Sequence, residues 1–147
     1  MEIKKIRLGK TDLMVTQASF GALPIQRDDM DSVYRDITAA EVLVFASPLY
    51  FYSWSTQIKP VWDRLLPFFA ANSQASVKGK KAVLLATAGD TEISCFDGLK
   101  ASFRLACGFT GWSIAGMICA PDMYPKTDMA EKGRKYLFEA YELGKNL

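Results

Sequence analysis

Short apolar runs, each followed by a loop and then an amphipathic stretch, constrain this chain more than any other feature. The first is Val42, Leu43, Val44 and Phe45, continuous and rich in β-branched residues, as expected of a strand covered on both faces of a parallel sheet. Residues 82–86, AVLLA, make a second run, and residues 112–120 read as a third strand. Helical spacing fills the intervals. Upstream, Asp28 or Asp29 caps a helix whose apolar face is Met30, Val33, Tyr34, Ile37 and Ala40. Ile58, Val61, Trp62, Leu65, Leu66 and Phe69 form one face of the next. A third, from Ser94 or Cys95 to Cys107, turns Phe96, Leu99, Phe103 and Ala106 inward, with Gly108 as its C-cap. Thr127 caps a last helix that packs through Ala130, Leu137, Ala140, Tyr141 and Gly144. Strands separated by helices imply a parallel sheet with right-handed crossovers.

Two strand-to-helix loops stand out. After Ala46-Ser47-Pro48 ends the first strand, Tyr50, Phe51, Tyr52 and Trp54 crowd four rings into five positions, and Ser55 and Thr56 open the helix. Ligands of open α/β sheets bind outside the carboxyl ends of strands, so a planar group is one occupant for these rings; core filling is the other. Residues 87–92, TAGDTE, are small and polar enough for backbone to approach a ligand, or to make an ordinary turn at Gly89.

Composition removes several function classes. The net charge of +2, with scattered Lys and Arg, does not suit nucleic acid. No apolar run has membrane-spanning length, and Met1-Glu2-Ile3-Lys4-Lys5 does not resemble a secretory signal, so a cytoplasmic protein is expected. Cys95, Cys107 and Cys119 contain no Cys-x-x-Cys pair and read as reduced, mostly buried thiols. Histidine is absent, which excludes His-based triads, His-ligated zinc and a histidine general base. Three cysteines cannot hold a four-cysteine cluster within one chain, and no metal site is expected. Any chemistry therefore belongs to a cofactor or to carboxylates, lysines and tyrosines.

Residues 2–20 alternate loosely about the turn Leu8-Gly9-Lys10-Thr11-Asp12, which suggests a β-hairpin. Gly9-Lys10-Thr11 resembles the end of a phosphate-binding loop, but Lys4 stands where that motif needs glycine, so a solvated turn is expected.

The segment SPLYFYSWSTQIKPVWDR resembles the SP-x-YF-x-S-x-S-x-Q-x-K-x(3)-DR stretch of flavodoxin-like NADPH-dependent FMN reductases and their iron-sulfur flavoprotein relatives. The match takes in Ser47, Pro48, Tyr50, Phe51, Ser53, Ser55, Gln57, Lys59, Asp63 and Arg64. Pro60 departs from the pattern, and the helix is expected to start late or bend there. The resemblance implies a flavodoxin-like three-layer sandwich. It also implies FMN held by Ser47, Pro48, Leu49, Tyr50, Phe51 and Trp54 with Thr87, Ala88, Gly89 and Asp90. NAD(P)H would be the electron donor and a quinone, flavin or similar small molecule the acceptor. Lys59, Asp63 and Arg64 are expected in a structural ion pair.

A second resemblance covers only residues 1–27. IRLGKTDLMVTQASFGALPIQR is similar to the opening of aldo/keto reductases, where a hairpin closes the bottom of a (β/α)8 barrel. The rest of the barrel and its catalytic constellation are absent, so that activity is not expected. Together the two likenesses imply an aldo/keto reductase-like hairpin segment (1–27) joined to a partial FMN reductase domain (28–147). The fold expected is thus a truncated flavodoxin-like α/β sandwich with an N-terminal β-hairpin. The strand and phosphate loop that would precede residue 28 are missing. Charge-assisted phosphate contacts contribute ~1.5–3 kcal/mol each, so weakened FMN binding is expected. The strand at residues 42–45 would have an open edge, covered by residues 14–20 or by a second subunit; a homodimer is expected. The alternatives are a non-catalytic remnant that dimerises and an interaction module whose edge pairs with another protein.

Overall fold

The computed structural model describes residues 5–7, 14–16, 29–69, 76–124 and 128–147. The alternating N-terminal pattern forms a hairpin of β1 (Lys5–Arg7) and β2 (Met14–Thr16), antiparallel with Ile6 opposite Val15. Its turn, residues 17–28 and the Thr127 cap lie outside the described residues.

β3 (Val42–Pro48), β4 (Lys81–Thr87) and β5 (Ser113–Ala120) form a parallel sheet in that order. Val44 pairs with Val83 and Leu84 with Met117, and the β4–β5 register shifts at Ala82/Val83. β3 and β4 outrun their apolar runs, whereas β5 starts one residue later than expected: pairing of β3 continues through the expected terminator, and Pro48 lies opposite Thr87. Proline is tolerated at such a strand end, where no ladder donor is needed.

Helix α1 (Asp29–Ala39) carries the expected face, with Met30, Ile37 and Ala40 buried. The Tyr34 hydroxyl donates to the Arg64 carbonyl at 2.6 Å, and its ring meets Phe68 edge-on. Lys80, expected in a polar surface loop, is buried. Its ammonium donates to the carbonyls of Thr38 (2.9 Å) and Ala40 (2.6 Å), placing a cation on the orphan acceptors at the end of α1.

The next helix is much shorter than its periodicity suggests. α2 covers only Lys59–Asp63, starts without a side-chain cap from Ser55 or Thr56, and gives way to a 3₁₀ turn at Leu66–Phe69. Pro60 fits the first turn, but Pro67 has no N–H to donate to the Asp63 carbonyl. Ile58, Val61 and Leu65 remain buried while Leu66 is 68 % exposed.

A 3₁₀ turn (Ile93–Phe96) leads into α3 (Asp97–Thr110). Phe96, Leu99 and Phe103 are inward as expected, but Gly108 is not the cap. The helix ends at Gly111, with φ 73°, where the N–H groups of Gly111 and Trp112 both close on the Cys107 carbonyl. The last helix breaks at Lys132-Gly133 into α4 (Asp128–Glu131) and α5 (Arg134–Lys145). That break resets the packing face to Tyr136, Ala140, Leu143 and Gly144, leaving Leu137 and Tyr141 exposed. Leu143 sits on Gly116 of β5, where a Cβ would lie 2.5 Å from its Cδ2.

The core lies on the face of the sheet that carries Phe45, against α2 and α3. Phe45 stacks on Trp62 (4.4 Å between ring centres, 15° between planes) and meets Phe103 edge-on at 6.0 Å. β3 is not covered on both faces among the described residues. Leu43, Phe45 and Ser47 are buried, but Val44 on the opposite face is 42 % exposed, and no described strand pairs the outer edge. Met14–Thr16, part of the segment considered for that edge, pairs with β1 instead.

Candidate functional site

Beyond Pro48 the Leu49 N–H donates to the Thr87 carbonyl at 2.8 Å, carrying the parallel pairing one residue further. The chain then reverses within four residues. The Tyr50 N–H donates to the Ser53 carbonyl (3.2 Å) and the Ser53 N–H returns to the Tyr50 carbonyl (3.0 Å). Between them Phe51 (φ 46°) and Tyr52 (φ 61°) are both left-handed. Asn-Gly ordinarily occupies such a turn, and a non-glycine residue held there costs on the order of 1–3 kcal/mol.

The four rings separate. Tyr50 and Tyr52 are exposed and Phe51 is 100 % exposed at the tip, whereas Trp54 is only 7 % exposed. Its Nε1 donates to Ser102 Oγ at 3.0 Å, and its ring lies against Phe45 and Trp62. Ser47 is also interior: its hydroxyl donates to the Pro48 carbonyl (2.8 Å) and accepts from the Ser55 N–H (3.1 Å), latching the two ends of the loop.

Because Pro48 and Thr87 are register partners, the loop after β4 lies beside the ring-bearing turn. Ala88 donates to the Ala120 carbonyl (3.0 Å) and accepts from the Met123 N–H (2.8 Å); the Asp90 carbonyl accepts from the Asp122 N–H (2.7 Å). The Asp90 carboxylate accepts from the Glu92 N–H at 3.0 Å. Among the described residues the N–H groups of Gly89 and Asp90 have no partner. A Cβ on Gly89 would lie 3.3 Å from Tyr124 Cβ, so the missing side chain lets the β5 loop close in. Tyr124, 81 % exposed, thereby joins Tyr50, Phe51 and Tyr52 at the carboxyl end of the sheet. Nothing in the sequence marks it, because the approach through Gly89 is tertiary and leaves no local pattern.

All ten residues singled out for the cofactor are thus on one end of the sheet, but not all face outward. Tyr50, Phe51, Gly89 and Asp90 are exposed; Ser47, Trp54 and Ala88 are buried. A cavity of about 280 Å³ lies behind the loop, between α2 and α3, walled by Trp54, the one candidate residue it shares, and by Trp62, Phe69, Ser102 and Phe109. Trp62 Nε1 is enclosed without a hydrogen-bond partner among the described residues.

Cys95, Cys107 and Cys119 are free and buried, as their number and spacing suggested. Burial pushes the Cys107 thiol up to about 11, and burial raises the other two as well. Such thiols are poor nucleophiles. Lys59 and Asp63 form an exposed i,i+4 pair, worth little to stability. Among the described residues no helix is long and apolar enough to cross a membrane, and no group of three or more Cys, Asp or Glu is placed to hold a metal ion.

A family model described as the flavodoxin-like fold matches residues 3–142. The chain belongs to this flavodoxin-like family. The match includes the N-terminal hairpin, and the order β3-β4-β5 is that of the last three strands of a flavodoxin-like sheet. An iron-sulfur flavoprotein of Archaeoglobus fulgidus is 36% identical over 56 residues, 38% of this chain and 24% of that protein. An FMN-dependent NADH:quinone oxidoreductase of Vibrio parahaemolyticus is 28% identical over 113 residues, 72% of this chain and 58% of that protein. This flavodoxin-like chain therefore spans under two thirds of the length of either curated relative. Among solved structures, the Trp repressor binding protein from Bacillus subtilis superposes with a TM-score of 0.68 at 26% identity, covering 80% of this chain and 73% of that one.

Proposed function

We propose that the chain is an FMN-dependent oxidoreductase that takes electrons from NAD(P)H and delivers them to a quinone or similar small acceptor. The observation that carries this reading is the convergence of an exposed ring-bearing turn with the unpartnered N–H groups of Gly89 and Asp90 at the carboxyl ends of adjacent parallel strands. Exposed ring faces beside backbone donors fit a flat heterocycle with a polar edge. When bound, FMN would supply the electron-transfer chemistry. Tyr50 and Phe51 would lie against the ring system, and the Gly89 and Asp90 N–H groups would donate to its polar edge. Ser47 and Trp54 act from behind, holding the loop to the sheet and to α3. No side-chain acid or base is required, which suits a chain without histidine. On this reading residues 28–147 form the flavin domain and residues 1–27 an aldo/keto reductase-like segment without the family's phosphate-binding loop, so FMN would be held mainly through its ring system and bind weakly.

Titration of cofactor-stripped protein with FMN, followed by quenching of flavin fluorescence, tests the proposal. Saturable binding in the micromolar range is expected. Phe51→Ala, which removes a fully exposed ring and should not alter stability, is expected to weaken binding about two- to tenfold, the worth of one ring contact. Failure to saturate at millimolar FMN would leave a folded, non-catalytic relative in place of an enzyme.

The same reading makes the chain a cytoplasmic homodimer. The outer edge of β3, with Val44 exposed beside it, offers backbone groups and apolar surface to the same strand of a second copy. Sedimentation as a dimer is expected, with Val44→Lys shifting the chain to monomer. A wild-type monomer at tens of micromolar would remove this part of the proposal.

A further inference from the structure

Two aromatic residues held at positive φ need more support than the two backbone hydrogen bonds of their own turn, and α3 supplies it. A Cβ on Gly98, the second residue of that helix, would lie 3.1 Å from the Tyr52 carbonyl oxygen. That is closer than ordinary van der Waals contact, and the obstructing atom is backbone, which cannot rotate away. Gly98 has an ordinary helical φ, so the contact uses the residue's size and not its conformational freedom. One helical turn further, Ser102 Oγ accepts from Trp54 Nε1. Residues 98 and 102 share a face of α3, so the helix docks the loop at two points on either side of Ser53.

We propose that Gly98 is a positioning residue for the ring-bearing loop: without a Cβ it seats the Tyr52 carbonyl on the first turn of α3 and fixes the left-handed turn that presents Phe51. The effect on ligand binding rests on the flavin reading above, whereas the seat itself does not.

Gly108 provides the control, because it lies in the same helix with nothing within 4 Å of an added Cβ. Alanine is the better helix former at both positions. Gly108→Ala is expected to raise the melting temperature by a few degrees and leave everything else unchanged. Gly98→Ala must displace Tyr52 by a few tenths of an ångström. In cofactor-free protein it is expected to speed chymotryptic cleavage after Phe51 or Tyr52 about fivefold, because a turn pushed off its seat opens more often. It is also expected to raise the dissociation constant for FMN about tenfold without lowering the melting temperature, a split that general destabilisation would not produce. Cleavage of Gly98→Ala at the wild-type rate would overturn the seat. Faster cleavage with unchanged FMN affinity would overturn its positioning role. Faster cleavage in a protein that binds no FMN would confirm the seat and overturn the flavin reading alone.

Discussion

Phe45→Ala is expected to remove about 3–5 kcal/mol of folding free energy, the largest effect of any single truncation considered for this chain. Phe45 is buried in the middle strand position of β3 and stacks on Trp62 at 4.4 Å; Trp112, Phe103 and Trp54 surround it at 5.9, 6.0 and 6.2 Å. These rings come from the loop after β3, from α2, from α3 and from the residue that enters β5. Removing the central one leaves a void that none can fill alone, because each is held from its own element. Two are also tethered: Trp54 Nε1 by Ser102 Oγ, and Trp112 Nε1 by the Val77 carbonyl at 2.6 Å. The cost should therefore approach the upper end of the range. Urea denaturation followed by tryptophan fluorescence measures it, as a fall in midpoint at constant slope. Phe45→Leu, which keeps part of the volume, should cost less than half as much. A loss below about 1 kcal/mol for the alanine variant would show that this ring is not the centre of the core.

Alkaline pH should produce the second large effect. Burial raises the Cys107 thiol from its ordinary 9.0 to about 11, so between these values the unfolded chain releases a proton that the native chain keeps. The stability contributed by the buried neutral thiol is fully present below pH 9 and is lost as pH rises toward 11. Two pH units correspond to roughly 3 kcal/mol. Cys95 and Cys119 are raised by burial too and act in the same direction. Lys80 acts the other way. Desolvation lowers its ammonium, against the opposing charge of Glu41, so the native chain gives up that proton first and gains relative stability up to 10.5. Comparing wild type with Cys107→Ala isolates the thiol. The variant should lose markedly less stability between pH 9 and 11, and parallel pH profiles for the two proteins would contradict the assignment.

Much of the architecture is legible in the sequence. The runs at residues 42–45, 82–86 and 112–120 became the three parallel strands, and the faces of α1 and the start of α3 are buried where their spacing placed them. The three cysteines, read as reduced and mostly buried from their number and spacing, are all free and buried. These features are local: a period of two or of 3.6 is written into the order of residues and survives in the fold. The position of the ring-bearing loop followed as well, since a loop after a parallel strand must emerge at its carboxyl end.

Other features had no local signature. Gly108 and Gly111 are equally able to end a helix by residue type, and the choice fell to the site where Gly111 and Trp112 reach the Cys107 carbonyl while the Trp112 indole is buried. Lys80 reads as a loop lysine until the end of α1 is brought to it. The rings at 50, 51, 52 and 54 are similar in hydrophobicity, yet three face solvent and one enters the core. That division depends on Ser102 and Gly98, which come from α3, far along the chain. By itself, then, the sequence determined where the strands and the helical segments fall, though not how far each helix runs, and where the candidate loop emerges. The tertiary structure alone decided which faces of those elements are covered and which side chains converge, because burial is set by the atoms that arrive from elsewhere in the chain, and no window of neighbouring residues contains them.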